Sequence, residues 1–122
     1  MPTSAVVVLV VEDEFLIRLH AMDMLEAAGF APVEAANADD AIGILESRND
    51  IRVVVTDVDM PGSMDGLRLA HAVREKWPPV KLVLVSGKRP LGRNDLPEGA
   101  LFYGKPYDMA EVTAGIEKLT AA

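Results

Sequence analysis

Short apolar runs of five to seven residues alternate along the chain with longer segments in which apolar positions recur every three or four residues. Strand and helix alternating around a parallel sheet give this pattern, and five such units fit. The run Ala5 to Val11 is apolar without interruption, as a strand covered on both faces must be, and predicts a central first strand. After it, Phe15, Leu19, Met22 and Leu25 share one helical face, and Gly29 is placed to end that helix. The second strand, near Phe30 to Ala35, contains Pro32, which cannot donate to a ladder, and Glu34; it belongs at an edge. Asn37 or Asp39 can cap a second helix running to about Arg48, followed by a third strand over Arg52 to Asp57. Gly66, Leu67, Ala70, Val73 and Trp77 form the inner face of a third helix closed by Pro78-Pro79. Val80 to Val85 and Ala100 to Tyr103 read as the last two strands. The final helix follows Pro106, with Met109, Val112, Ile116 and Leu119 inward. Between those strands, Lys88 to Gly99 holds Pro90, Pro97, Gly92 and Gly99 and no apolar stripe, so the fourth crossover is predicted to be short or irregular.

At 122 residues the chain fits a single domain, 1–122, with no room for a separate output domain. A formal charge of -7, with only Lys88, Arg89 and Arg93 grouped, argues against a nucleic-acid surface. The absence of cysteine removes disulfide and thiolate chemistry and suits a cytoplasmic protein. No apolar stretch approaches the ~18 to 20 residues of a membrane span, and no basic segment precedes the first run. The expected protein is soluble, with no membrane and no nucleic acid among its partners.

Ligand sites in open parallel sheets lie beyond the carboxyl ends of the strands, and those ends are chemically loaded. Glu12-Asp13 ends the first strand, Asp57 the third, Ser86 the fourth, and Lys105-Pro106 follows the fifth. Right-handed crossovers around a central first strand bring Asp13 and Asp57 together with Glu12 nearby. At ~4 Å and an effective dielectric of about 20, each ionised pair costs about 4 kcal/mol before screening, so the cluster must bind a cation or hold a proton. Hard oxygen ligands without His or Cys point to Mg2+ or Mn2+. Mg2+ favours sites shared with phosphate oxygens, Lys105 and Ser86 supply a charge and a donor for such oxygens, and a carboxylate can itself accept a phosphoryl group. Asp57 is the candidate nucleophile.

Each residue taken alone has a plainer reading. Glu12-Asp13 suits the first turn of a helix, Ser86-Gly87 is an ordinary turn pair, and an isolated Lys105 is usually solvated surface. His20 and His71 lie away from the strand ends and read as structural or surface residues. Met60, Met64 and Trp77 read as packing. The ordered set at four strand ends outweighs these separate readings.

In that set, and from about Ala5 to Leu119, the chain resembles the receiver domains of two-component response regulators. The resemblance rests on Glu12-Asp13, Asp57 with Met60-Pro61, Ser86-Gly87 and Lys105-Pro106. It implies an α/β fold: a doubly wound, five-stranded parallel sheet of flavodoxin-like order 2-1-3-4-5. It further implies Asp57 as phosphoacceptor, and a metal site of Asp13, Asp57 and the backbone carbonyl of Asp59, with Glu12 acting through water. Ser86 would be the hydroxyl that turns toward the phosphoryl group, Lys105 the salt-bridging amine before a cis proline bond, and Phe102 the switch aromatic. Such a domain is no turnover enzyme. It takes phosphate from a histidine kinase or histidine phosphotransfer protein, hydrolyses it slowly, and presents a changed surface to a downstream protein target or drains phosphate from the kinase. A homodimer through that surface is compatible with the composition but not demanded by it.

Three departures from the family pattern stand out. Gly62-Ser63-Met64 separate Pro61 from Asp65-Gly66, one residue more than usual, which predicts a longer loop over the site. The interval from Ser86 to Lys105 is short, which weakens the fourth helix. Asp59 and Lys88 each lie two residues beyond the phosphoacceptor and the hydroxyl, and are expected to pair and slow phosphoryl hydrolysis. Unchanged phosphoprotein lifetime in Lys88→Ala would rule that pairing out. The main alternative is a phosphohydrolase of the haloacid dehalogenase type, with Asp57 and Asp59 as nucleophile and acid/base. In that superfamily, however, the Asp pair usually opens the domain and precedes the second acid cluster.

Overall fold

The computed structural model describes residues 5–60, 64–87 and 95–121. Its elements run β1 (Val7–Val11), α1 (Phe15–Ala27), β2 (Ala31–Ala35), α2 (Ala38–Ser47), β3 (Ile51–Asp57), α3 (Gly66–Lys76), β4 (Lys81–Ser86), β5 (Leu101–Gly104) and α4 (Met109–Thr120). All neighbouring strands pair in parallel, in the order β2-β1-β3-β4-β5. The predicted α/β architecture and strand order are therefore those of the protein, with Pro32 on an edge strand that needs no second ladder.

Period-two alternation divides the core between the sheet's two faces. Leu9, Val11, Val54, Leu82 and Leu84 pack with Ala41 and Leu45 of α2 and Leu69, Ala70 and Val73 of α3. Val8, Val10, Val53, Val55 and Val83 pack with Ala21 and Leu25 of α1 and Met109, Val112 and Ile116 of α4. Most of the strand residues are fully buried, each worth ~1.5–3 kcal/mol of transfer free energy, and this fixes the strand ends that carry the chemistry. Trp77 and Met64 pack against the first cluster and Met60 belongs to it, as expected of packing residues.

Helix ends follow local chemistry. Asn37 Oδ1 accepts from the Asp40 N–H at 2.8 Å, Asp65 from Arg68 at 2.9 Å and Asp108 from Ala110 at 2.9 Å. Gly29, at φ 95°, closes α1 in a backbone region that favours glycine.

The inner face expected for α1 needs correction. Phe15 and Leu19 are 60% and 44% exposed, as is Leu16 at 75%, while Ala21 and Leu25 are the buried positions. The helix is apolar on more than one side, so the stripe facing the sheet is chosen by the packing of α4 and β2. Arg18 covers Phe15, its guanidinium carbon 5.6 Å from the ring centre. In α3 the buried set is Gly66, Leu69, Ala70 and Val73, with Leu67 and Trp77 only half-buried. Leu119 of α4 is likewise half-buried, and Thr113 takes a buried place.

Pro61 to Ser63, including most of the expected longer loop, and Lys88 to Asn94 lie outside the described residues. Asp95 to Gly99 forms short turns leading into β5. Among the described residues, no helix is long and apolar enough to cross a membrane.

Candidate phosphoacceptor site

Ladder hydrogen bonds continue past the strands and set the site. Val58 N–H donates to Val85 O at 2.9 Å, Lys105 N–H to Ser86 O at 2.8 Å and Glu12 N–H to Ala35 O at 3.1 Å. The loops after β1, β3, β4 and β5 thus leave the sheet at one edge with their first residues held. Asp57, Glu12 and Ser86 are 5%, 4% and 2% exposed, polar groups kept in an otherwise apolar sheet. Asp13 stands in solvent beside them.

Asp57 is held through both of its oxygens. Lys105 Nζ donates to Oδ2 at 2.8 Å, and the backbone N–H of Asp59 donates to Oδ1 at 2.9 Å. Burial pulls the Lys105 ammonium toward neutrality, but the hydrogen bond and charge of Asp57, with the charge of Glu12, outweigh it and hold the pKa above its ordinary value. Gly87 lets this happen. A Cβ there would press on the Lys105 stem, 2.9 Å from its own Cβ. The peptide bond between Lys105 and Pro106 is cis.

Glu12, Asp13 and Asp57 each offer a carboxylate oxygen within 4.8 Å of the others. Burial first, then the hydrogen bond with Asp13 and the charge of Asp57, push the Glu12 carboxyl up to about 7. A crowded set of hard oxygens with one member forced toward protonation fits a divalent ion such as Mg2+.

This crowding has a consequence for stability. Because folding raises the Glu12 pKa from 4.5 to about 7, the folded chain binds more protons than the unfolded chain across that window, and stability falls as pH rises through it. The loss is at most about 3 kcal/mol for a shift of this size. In chelator, the unfolding midpoint is expected to be lower at about pH 7.5 than at about pH 5; Glu12→Gln should remove most of the difference and Mg2+ should reduce it. An unchanged pH dependence in Glu12→Gln would contradict the assignment.

Sequence reasoning brought Glu12, Asp13, Asp57, Ser86 and Lys105 to one end of the sheet, and the structure brings them together there. Phe102 and Tyr103 point to opposite faces as adjacent strand residues must. Phe102 packs with the α2/α3 side and Tyr103 with the α1/α4 side, its hydroxyl 3.3 Å from Glu111 O. Lys88, the expected partner of Asp59, lies outside the described residues; Asp59 Oδ2 accepts from Ser86 Oγ at 2.7 Å. Two neighbours went unnoticed in the sequence. Arg18 donates to Glu12 O at 2.8 Å and to Glu34 at 2.8 Å, tying α1 to the ends of β1 and β2. Tyr107 is half-buried near Lys105, Glu12 and Asp57, and burial raises its pKa. Arg18 and Glu34 are 16 positions apart, too far for a helical spacing to announce their pairing. His20 is exposed, and His71 Nε2 lies 2.8 Å from Asp95 O, away from the site.

A parallel sheet in this order carries acids after β1 and β3, a hydroxyl after β4 and a lysine after β5. Residues 8–116 match the response regulator receiver domain, and the chain belongs to that family. The response regulator receiver protein CpdR of Brucella abortus is 29% identical over 118 residues, 94% of this chain and 97% of its own length. The sensor kinase CckA of the same organism is 32% identical over 122 residues, 96% of this chain but 13% of its own length. The chain spans less than a fifth of the length of CckA and of the NtrX-like regulators of Rickettsia bellii and Rickettsia conorii that it also matches. A solved response regulator receiver protein from Sinorhizobium medicae superposes with a TM-score of 0.88 at 28% identity, covering 94% of each chain. Receiver domains are phosphoacceptors of two-component signalling rather than turnover enzymes, and bind Mg2+ through acidic residues of this kind.

Proposed function

We propose that Asp57 accepts a phosphoryl group from a histidine kinase or histidine phosphotransfer protein. The observation that carries this reading is Lys105 Nζ at 2.8 Å from Asp57 Oδ2 beside the cluster of Glu12, Asp13 and Asp57. An Asp57 oxygen attacks the phosphorus of phosphohistidine. The P–N bond breaks, its electron pair returns to the imidazole, and an acyl phosphate remains on Asp57. Mg2+ or Mn2+, held by Asp13, Asp57, the Asp59 carbonyl and, less directly, Glu12, would neutralise the anionic oxygens as they approach. Lys105 then follows the negative charge from the free carboxylate to the phosphoryl oxygens, and Ser86 donates to another of them. Water later attacks the phosphorus, the bond from Asp57 oxygen to phosphorus breaks with its electron pair returning to the carboxylate, and inorganic phosphate leaves, slowly, with Asp59 and Lys88 modulating the approach of the water.

The exposed apolar residues Phe15, Leu16 and Leu19 begin two residues after Asp13, where a protein donor has to approach. The readout is a changed surface around β5, transmitted by Ser86 and Phe102 to a protein target, or the removal of phosphate from the kinase. We read residues 1–122 as one receiver domain acting in the cytoplasm. The hydrolase alternative is disfavoured because the acid/base of its pair is engaged elsewhere: Asp59 Oδ2 accepts from Ser86 Oγ.

Intact mass after incubation with acetyl phosphate and Mg2+ tests the reading. One added phosphoryl group per chain, absent when Mg2+ is chelated, is the expected result. Continued turnover of donor without an adduct would favour the hydrolase.

A further inference from the structure

We infer that the Asp59 carboxylate is a latch on the switch hydroxyl: it holds Ser86 Oγ in the resting protein and must release it before a phosphoryl group can take its place. This inference rests on the function proposed above. Ser86 has one proton to donate, and that proton is already given to Asp59 Oδ2 at 2.7 Å, the short distance of a charge-assisted bond. With Ser86 buried to 2% exposure, water is a poor substitute partner and the bond is not freely exchanged. The same hydroxyl is the donor that a phosphoryl oxygen on Asp57 would need.

Asp59 is also placed to couple the two events. Its backbone N–H donates to Asp57 Oδ1 at 2.9 Å, while its side chain holds Ser86. A single residue therefore touches the phosphoacceptor through its main chain and the switch through its carboxylate. Phosphorylation sets an anionic oxygen and the Asp59 carboxylate in competition for one O–H. Asp59 is thus a positioning residue that favours the unphosphorylated arrangement and raises the threshold for switching.

Simple repulsion between the Asp59 charge and the phosphoryl dianion would also make Asp59 inhibitory, but it would not depend on Ser86. A double-mutant cycle separates the two. Beryllofluoride, a phosphoryl mimic, is titrated in saturating Mg2+ into wild type, Asp59→Ala, Ser86→Ala and the double variant, with binding followed by amide NMR shifts of the whole chain. Asp59→Ala is expected to tighten binding about tenfold in the wild-type background, the scale of one hydrogen bond to a charged group, and by less than about twofold when Ser86 is Ala. Asp59→Asn, isosteric but a weaker neutral acceptor, should shift affinity in the same direction by less, and serves if the Ala variant does not fold. Equal tightening in both backgrounds, or none in either, overturns the latch while leaving the phosphoacceptor reading intact. A wild type that takes up neither beryllofluoride nor a phosphoryl group overturns both.

Discussion

The Asp57→Asn variant is expected to take up no phosphoryl group from acetyl phosphate under conditions that label the wild type with one. The substitution is nearly isosteric and leaves an amide oxygen to accept the Asp59 N–H that now reaches Asp57 Oδ1. It removes the nucleophile, because a neutral amide oxygen does not displace a leaving group from phosphorus at useful rates. No other carboxylate among the described residues combines burial in the sheet edge with the Lys105 ammonium at 2.8 Å, so none is placed to substitute. The variant loses the Lys105 ion pair, and this cost is offset by removing one of the charges that crowd Glu12, whose own charge also acts on Lys105, so the variant should remain folded. Circular dichroism and the unfolding midpoint check that point separately from the label. Retention of label by a folded Asp57→Asn would move the acceptor elsewhere, with Asp13 the first place to look.

The strands were legible because a strand covered on both faces has no polar positions to confuse its limits. Ala5 to Val11 and Val80 to Val85 announce β1 and β4 within two residues of their observed bounds. Helix faces were less legible for the converse reason. Phe15, Leu16, Ile17, Leu19, Ala21, Met22, Met24 and Leu25 are apolar around much of α1, so the helical period admits more than one inward stripe. Contacts with elements distant in sequence decide among them, and they bury Ala21 and Leu25 while leaving Phe15 and Leu19 in solvent.

Within the site, the residues at strand ends could be read because topology alone gathers them. Their hydrogen-bond partners could not. Asp59 and Ser86 are 27 positions apart, and their meeting depends on how the turn after β3 leans toward the end of β4. That lean is fixed by backbone contacts such as Gly66 N–H to Val58 O at 3.0 Å and Val58 N–H to Val85 O at 2.9 Å, to which side-chain patterns give no clue. A chain can thus disclose its chemistry while concealing the arrangement that regulates it.

Gly66→Ala should show how tightly that backbone arrangement is drawn, and its cost is expected at about 3 kcal/mol, the upper end of the usual penalty for overpacking. Gly66 opens α3 and is buried against the end of β3. A Cβ built there collides with the carbonyl oxygen and carbon of Asp57 and comes within 2.8 Å of Thr56 Oγ1, which itself donates to that carbonyl. The obstacle is backbone, so no rotamer change relieves it. Either the first turn of α3 withdraws from Val58 or the end of β3 shifts, and Asp57 moves with it. The variant should therefore lose phosphoryl uptake as well as stability. Gly43, an exposed interior residue of α2 with nothing within 4 Å of its Cβ position, supplies the contrast: Gly43→Ala should stabilise the protein by about 0.5–1 kcal/mol through helix propensity alone. Denaturant unfolding of the two variants beside wild type measures both effects. If Gly66→Ala unfolds within about 0.5 kcal/mol of wild type, the ordinary effect of a neutral surface change, then the contact between α3 and β3 is yielding and does not hold the phosphoacceptor in place.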